Sequence, residues 1–229
     1  RTIVARQGGD AMVVNDITIP AATTAVLVAD RDVDTGISTS LGATVTPLLQ
    51  GGAHVNPCKI GDILGTLSWT GASYADMTGD WMFTRSVAGT ETIITRPTAI
   101  RTDFDINRNG GIQIIFIGQN GGYTDTADLI WQHKLMIEHS TARHTVVLGL
   151  SSGTAASRAA YEAAMKAEFG RYFISLREYL ATPIYTDAVI TSCYGLDDAG
   201  ITPLAADLTA IADGSVPPSL LSDSVHFTA

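Results

Sequence analysis

The sequence predicts an α/β protein: a parallel three-layer α/β/α sheet with a β-rich module inserted into it. Three observations predict this class. The runs IQIIFIG (112–118), HTVVLGL (144–150) and YFISL (172–176) are nearly unbroken apolar stretches, and the first two end at or near glycine, the pattern of strands buried on both faces. The stretches between them carry apolar residues at helical spacing. Residues 10 to 105, by contrast, are rich in Thr, Val, Ile and Gly, with short β-branched runs and no helical period, which reads as strands joined by hairpins.

In chain order, the β-rich segment contains TAVLVAD, ILGTLSWTG, WMFTRSVAG and ETIITRPTAI, and a small sandwich or barrel is expected there. After Asn109-Gly110-Gly111 comes the first buried strand. Asp125 or Thr126 caps the next helix, whose positions Leu129, Ile130, His133, Met136 and Ile137 share one face. Thr154 caps another, with Tyr161, Ala164, Met165 and Phe169 along one side until Gly170 stops it. Thr202 as cap and Pro203 at the first helical position open LAADLTAIAD, and Gly214 closes it before the turn at Pro217-Pro218. Strand, helix, strand, helix, strand in this order implies right-handed crossovers and a parallel sheet. Ligands bind such sheets at the carboxyl ends of their strands, so the loops Gly118–Gly122 and Gly149–Thr154 are the places to look.

Composition removes several function classes. The 23 acidic against 14 basic residues give a net charge of −9, unsuited to a phosphate backbone, so no nucleic-acid partner is expected. No apolar run approaches the roughly 18 residues of a membrane span, and the opening RTIVARQGG lacks the order of a signal peptide. Cys58 and Cys193 are too few and too far apart for a disulfide framework or a zinc cluster, and read as buried free thiols. Arg1 in place of Met, and an end at SVHFTA without turn residues or a closing helix, make both ends read as cut.

Two loops carry residues suited to chemistry. In GQNGG the amide of Asn120, held past a strand end between glycines, offers two N–H donors to an oxyanion; as plain turn chemistry the same string needs no function. Asp223 and His226 stand three apart in the loop after Pro217-Pro218. A carboxylate beside an imidazole fixes its tautomer and stabilises the imidazolium formed when the ring takes a nucleophile's proton. Gly149-Leu150-Ser151-Ser152-Gly153 matches the Gly-x-Ser-x-Gly elbow between strand and helix. On that rival reading Ser151 is the nucleophile of an α/β-hydrolase, followed by an Asp such as Asp187 and then His226, although helix capping explains the same serines. His54, His133, His139 and His144 form no metal-ligand spacing, so no metal site is expected. Trp69, Tyr74 and Trp81 would stack on sugars if exposed, and otherwise fill the β core.

The two loops together resemble the third and fourth sequence blocks of the SGNH (GDSL-like) hydrolase family: Gly118-Gln119-Asn120 is similar to its Gly-x-Asn, and Asp223-Ser224-Val225-His226 to its late Asp-x-x-His. The opening ARQGG is similar to the segment just after the glycine block in members from gut bacteria and phage tails. The resemblance covers residues 1–9 and about 110–229. It implies a flavodoxin-like α/β/α domain over 1–9 and 106–229, with residues 10–105 as a β-rich insertion shaping the substrate cleft. It further implies a cofactor-free serine esterase acting on a small ester or acylated carbohydrate. Asn120 would donate to the oxyanion, His226 would be the general base and Asp223 would orient it, with Gly118 and Gln119 at the substrate. The departures are Gly121 where the family often has Asp, and the absence of any Gly-Asp-Ser; Asp213-Gly214-Ser215 has the wrong order. The nucleophile of that family precedes the glycine block and is expected upstream of Arg1. Without it the chain reads instead as a non-catalytic binding or structural module, such as part of a phage tail or cell-surface protein.

Overall fold

The structure, a computed structural model, describes residues 1–30, 36–48, 52–72, 79–223 and 226–227. The chain divides into two compact units, residues 1–111 with 132–143, and residues 112–131 with 144–229.

The first unit opens with α1 (Thr2–Gln7). Its strands are β1 (Val13–Val14), β2 (Ile17–Ile19), β3 (Val26–Asp30), β4 (Ile37–Ser38), β5 (Thr44–Val45), β6 (Cys58–Ile60), β7 (Ile63–Trp69), β8 (Asp80–Arg85), β9 (Thr92–Ile94) and β10 (Thr98–Arg101), followed by the short helix α2 (Asp103–Asn107). Six strands form one sheet in the order β1-β10-β6-β7-β8-β3, every pairing antiparallel; β2–β9 and β4–β5 pair separately. Strand β8 shows why this segment reads as β. Trp81, Phe83 and Arg85 point inward while Met82 and Thr84 alternate outward, the period of 2 that one buried face requires. Phe83 lies over Gly65, where a Cβ would come within 2.3 Å of the ring, so the glycine in β7 makes room for its cross-strand neighbour. The inward Arg85 is satisfied by the carbonyls of Pro20, Val87 and Thr90 at 2.8–2.9 Å.

The core of this unit joins Met12, Ile19, Ile60, Leu67, Trp81 and Phe83 with Ala5 of α1. Trp69 and Trp81 pack against each other with ring centroids 4.9 Å apart and planes tilted by 45°. Trp81 is fully buried and Trp69 packs against the core, so this pair is packing; Tyr74 lies outside the described residues. Cys58 is buried, and burial pushes its thiol up to about 11, which leaves it unreactive.

The second unit contains β11 (Ile112–Ile115), the first turns of α3 (Thr126–His139), β12 (His144–Leu148), α4 (Ala155–Phe169), β13 (Phe173–Ile174), α5 (Leu176–Ala181), the hairpin of β14 (Pro183–Thr186) and β15 (Val189–Cys193), α6 (Tyr194–Asp198) and α7 (Ala205–Ala212). Strands β11, β12 and β13 pair in parallel in that order. The capping residues read from sequence hold at α4, where Thr154 Oγ1 accepts from Ser157 N–H at 3.1 Å and Ser157 Oγ from Thr154 N–H at 2.9 Å. The start of α7 is corrected. Its cap is Leu204 in place of Thr202, because Asp207 Oδ2 accepts the Leu204 N–H at 2.8 Å and fixes the first turn two residues later.

The expected parallel three-layer α/β/α sheet is overturned. The largest sheet is antiparallel, and among the described residues the parallel pairing is confined to three strands. Those strands are also not buried on both faces. Ile115, Ile117, Val147 and Phe173 are buried, whereas Ile112, Ile114, Phe116 and Ile174 are 68%, 65%, 38% and 45% exposed. An unbroken apolar run signals apolar residues on both faces of a strand, and says nothing of what covers each face.

Candidate active site

At the end of β11 the chain turns at Gly118 (φ 93), and Gly121 N–H donates to Gly118 O at 3.0 Å. Leu129 lies so close that a Cβ on Gly118 would come within 3.0 Å of it, so position 118 needs glycine for both its backbone and its space. Gln119 then reaches the loop after β12, where its Oε1 accepts the Ser151 N–H at 3.0 Å. Asn120 is exposed at the same turn.

The loop after β12 is held from several sides. Leu150 N–H donates to the Tyr161 hydroxyl at 3.3 Å, and burial raises that phenol to about 12. Arg158 Nε and Nη2 hold the carbonyl and hydroxyl of Ser152 at 2.8 and 3.0 Å. Ala155 N–H, at the start of α4, donates to Asp213 O at 3.1 Å. Next to that contact, Arg177 donates to Gly214 O and forms a buried ion pair with Glu162 (Nη2 to Oε2, 2.6 Å; Nε to Oε1, 2.7 Å), and Ser175 Oγ adds a third bond to Glu162. Sequence reading missed Arg158, Arg177 and Glu162. Acid–base pairs 15 residues apart on different elements leave no periodic signal.

Asp223 and His226 meet as their spacing allows. Asp223 Oδ1 accepts the His226 N–H at 2.7 Å and Oδ2 faces the ring Nδ1 at 2.8 Å. The His226 carbonyl in turn accepts from Ser222 N–H at 2.7 Å and Ser222 Oγ at 3.2 Å, so the loop closes on itself. With Nδ1–H donated to the carboxylate, Nε2 is the ring nitrogen left to present a lone pair. Both side chains are exposed, 63% and 55%. Asp223 lines a cleft of about 600 Å3 together with the Ser151–Thr154 loop.

The structure thus brings Asp223 and His226 together and ties Gln119 to Ser151, while Asn120 stays in solvent at its turn. The elbow reading finds Ser151 in different surroundings from those it requires. Ser151 is only 2% exposed, the left-handed backbone of the loop falls on Gly153 (φ 94), and the His226 ring faces Asp223 and not Asp187, which sits at the β14–β15 hairpin turn with φ 49. The other histidines are engaged elsewhere. His139 Nε2 lies 2.6 Å from Asp105 Oδ1 and His54 Nδ1 lies 3.3 Å from Asp103; His133 is buried and His144 opens β12. Among the described residues no cluster of three His, Cys, Asp or Glu side chains is placed to hold a metal ion, and no helix is long and apolar enough to cross a membrane.

No protein-family model, curated protein or solved structure matches the chain.

Proposed function

We propose that the chain carries the acid–base part of a serine ester hydrolase of the SGNH type, acting on acyl esters of carbohydrate. The observation that supports this reading most is the Asp223–His226 pair, in which one carboxylate binds both the backbone and the ring of its histidine. In the reaction a serine hydroxyl gives its proton to His226 Nε2 as its oxygen attacks the ester carbonyl. The imidazolium so formed is held by Asp223 and returns the proton to the leaving alcohol. The Asn120 amide donates to the oxyanion once substrate occupies the mouth of the turn, a role its exposed position permits. Water then hydrolyses the acyl-serine with His226 again as base. The order of blocks in that family puts the serine ahead of Arg1. The reading rests on these side chains and not on the overall sheet, since one chemistry recurs on many folds.

The experiment is hydrolysis of p-nitrophenyl acetate by the full-length gene product. His226→Ala should lower kcat by about 1000-fold or more, and Asp223→Asn should lower it through the wrong imidazole tautomer, as in other serine triads. Turnover undiminished in His226→Ala sinks the assignment.

A further inference from the structure

The oxyanion role proposed for Asn120 asks an exposed side chain to keep a fixed place. Its own turn supplies little of that order. Gly118 and Gly121 on either side both have positive φ, 93 and 81, and around Gly121 a Cβ would meet nothing within 4 Å, so the backbone there has both freedom and room. The bond from Gly121 N–H to Gly118 O closes the turn at 3.0 Å and reaches nothing outside it.

Gln119 carries a bond out of the turn. Its Oε1 accepts the N–H of Ser151, 32 residues further along the chain, at 3.0 Å. The anchor is well held. Ser151 is buried, Gly149 N–H donates to Ile174 O of β13 at 2.8 Å, Leu150 N–H donates to the buried Tyr161 hydroxyl, and Arg158 holds the Ser152 carbonyl on the other side. The direction of the Gln119 amide follows from this bond, since a backbone N–H needs the amide oxygen as its acceptor. Nε2 is then buried, without a hydrogen-bond partner among the described residues. Leaving a donor unpaired in the interior carries a desolvation cost, and the link between the two loops is what that cost sustains. With its oxygen on Ser151 and its nitrogen buried, the amide is placed to hold a loop and not to touch an ester.

We propose that Gln119 is a positioning residue: through Ser151 it fixes the turn at the end of β11 to the loop after β12, and so keeps the Asn120 amide where the oxyanion forms. The role in the reaction rests on the hydrolase reading. The fixing of the turn does not, and the two are tested apart.

The fixing is read on the 229-residue chain by backbone amide relaxation in NMR. Order parameters at Asn120 and Gly121 should be near about 0.85 in the unsubstituted chain and fall below about 0.6 in Gln119→Met, which keeps the length of the side chain and removes its acceptor. Gln119→Glu, which keeps an acceptor oxygen, should restore most of the order. A turn as ordered in Gln119→Met as before, or already mobile in the unsubstituted chain, overturns the proposal.

The role in the reaction is read on the full-length gene product with p-nitrophenyl acetate. Gln119→Met should lower kcat by about 30-fold, the cost of a displaced group, with KM within about twofold and the pH profile set by His226 unmoved; Gln119→Glu should recover most of the loss. In an Asn120→Ala background, itself slower by about 100-fold, Gln119→Met should cost no more than about twofold further, because it acts through Asn120. The full loss recurring in that background, or a shifted pH profile, overturns the positioning role and leaves the hydrolase reading standing. Turnover that is absent, or indifferent to His226→Ala, sinks the hydrolase reading and the role in the reaction with it.

Discussion

The two units bury their apolar surface by different means. In the first, antiparallel strands close a core around Trp81, Phe83 and Leu67, and β8 alternates between buried and half-buried residues, while Leu27, Leu64 and Ile93 of β3, β7 and β9 stay exposed. In the second, the parallel strands are apolar on both sides and only one side is covered, leaving Ile112, Ile114, Phe116 and Ile174 in solvent. Buried polar ties hold it together, Glu162 with Arg177, Gln119 with Ser151, and Asp207 with Leu204 and Ser219, as Arg85 and Asp10 do in the first unit. An antiparallel unit can be finished by its own strands, whereas a parallel one needs covering layers and, where they are thin, specific polar contacts.

The sharpest test of this contrast is Trp81→Ala, which opens a cavity in the first core and should destabilise that unit by about 4 kcal/mol. Denaturant unfolding followed by fluorescence reads it, since two of the three tryptophans, Trp69 and Trp81, belong to that unit. Leaving the second unit's transition unchanged would confirm that the two cores are separate, and a shift of both together would break the comparison.

Next in size is Glu162→Ala, which strands the Arg177 guanidinium in a buried site and should cost the second unit about 3 kcal/mol. The double variant Glu162→Leu with Arg177→Met should recover most of that loss. Failure of the double variant to recover, measured by the same denaturation, would mean that the bonds from Arg177 to Gly214 O and from Ser175 to Glu162 matter more than the pair.

Acid should expose the third tie. Burial alone would raise the Asp207 carboxyl, but the donors Leu204 N–H, Ser219 N–H and Ser219 Oγ outweigh it and hold the group below the ordinary carboxylate range. A depressed folded-state pKa means that the ionised form stabilises the fold above the unfolded value of about 4, and that this contribution is lost as pH falls from there through the folded value. Asp207→Asn should therefore lower stability at pH 7 by about 2 kcal/mol and flatten the acid limb of the stability curve. A variant whose loss is the same at pH 7 and pH 3 would show that the charge plays no part.

The smallest effect belongs to the uncovered face. Ile114→Lys changes a residue that is 65% exposed and should move stability by no more than about 0.5 kcal/mol, against about 3 kcal/mol for Ile115→Ala one residue on, which is 1% exposed. A large loss from Ile114→Lys would show that this face is covered in solution.

Much of the local structure was legible in the sequence. Helices α3 and α4 lie where their spacing and caps put them, and the β-branched runs between 10 and 105 became strands. The short helices α1, α5 and α6, of five or six residues, went unread because so few residues cannot establish a period of 3.6. The site divided along the same line. The Asp223–His226 contact spans three residues, and a tight loop brings such neighbours together with little closure entropy.

What the sequence determined by itself is therefore whatever a few neighbouring residues decide: the type of the longer elements, the α4 cap, and the Asp-x-x-His pair. Only the tertiary structure decided how the strands combine into an antiparallel six and a parallel three, which face of β11 is covered, and which distant partners meet, such as Gln119 with Ser151 and Glu162 with Arg177. The physical reason is that a propensity or a cap is settled within one turn of chain. A sheet order or a buried ion pair is chosen by packing among many possible closures, and residues 15 or 32 apart carry no mark of that choice.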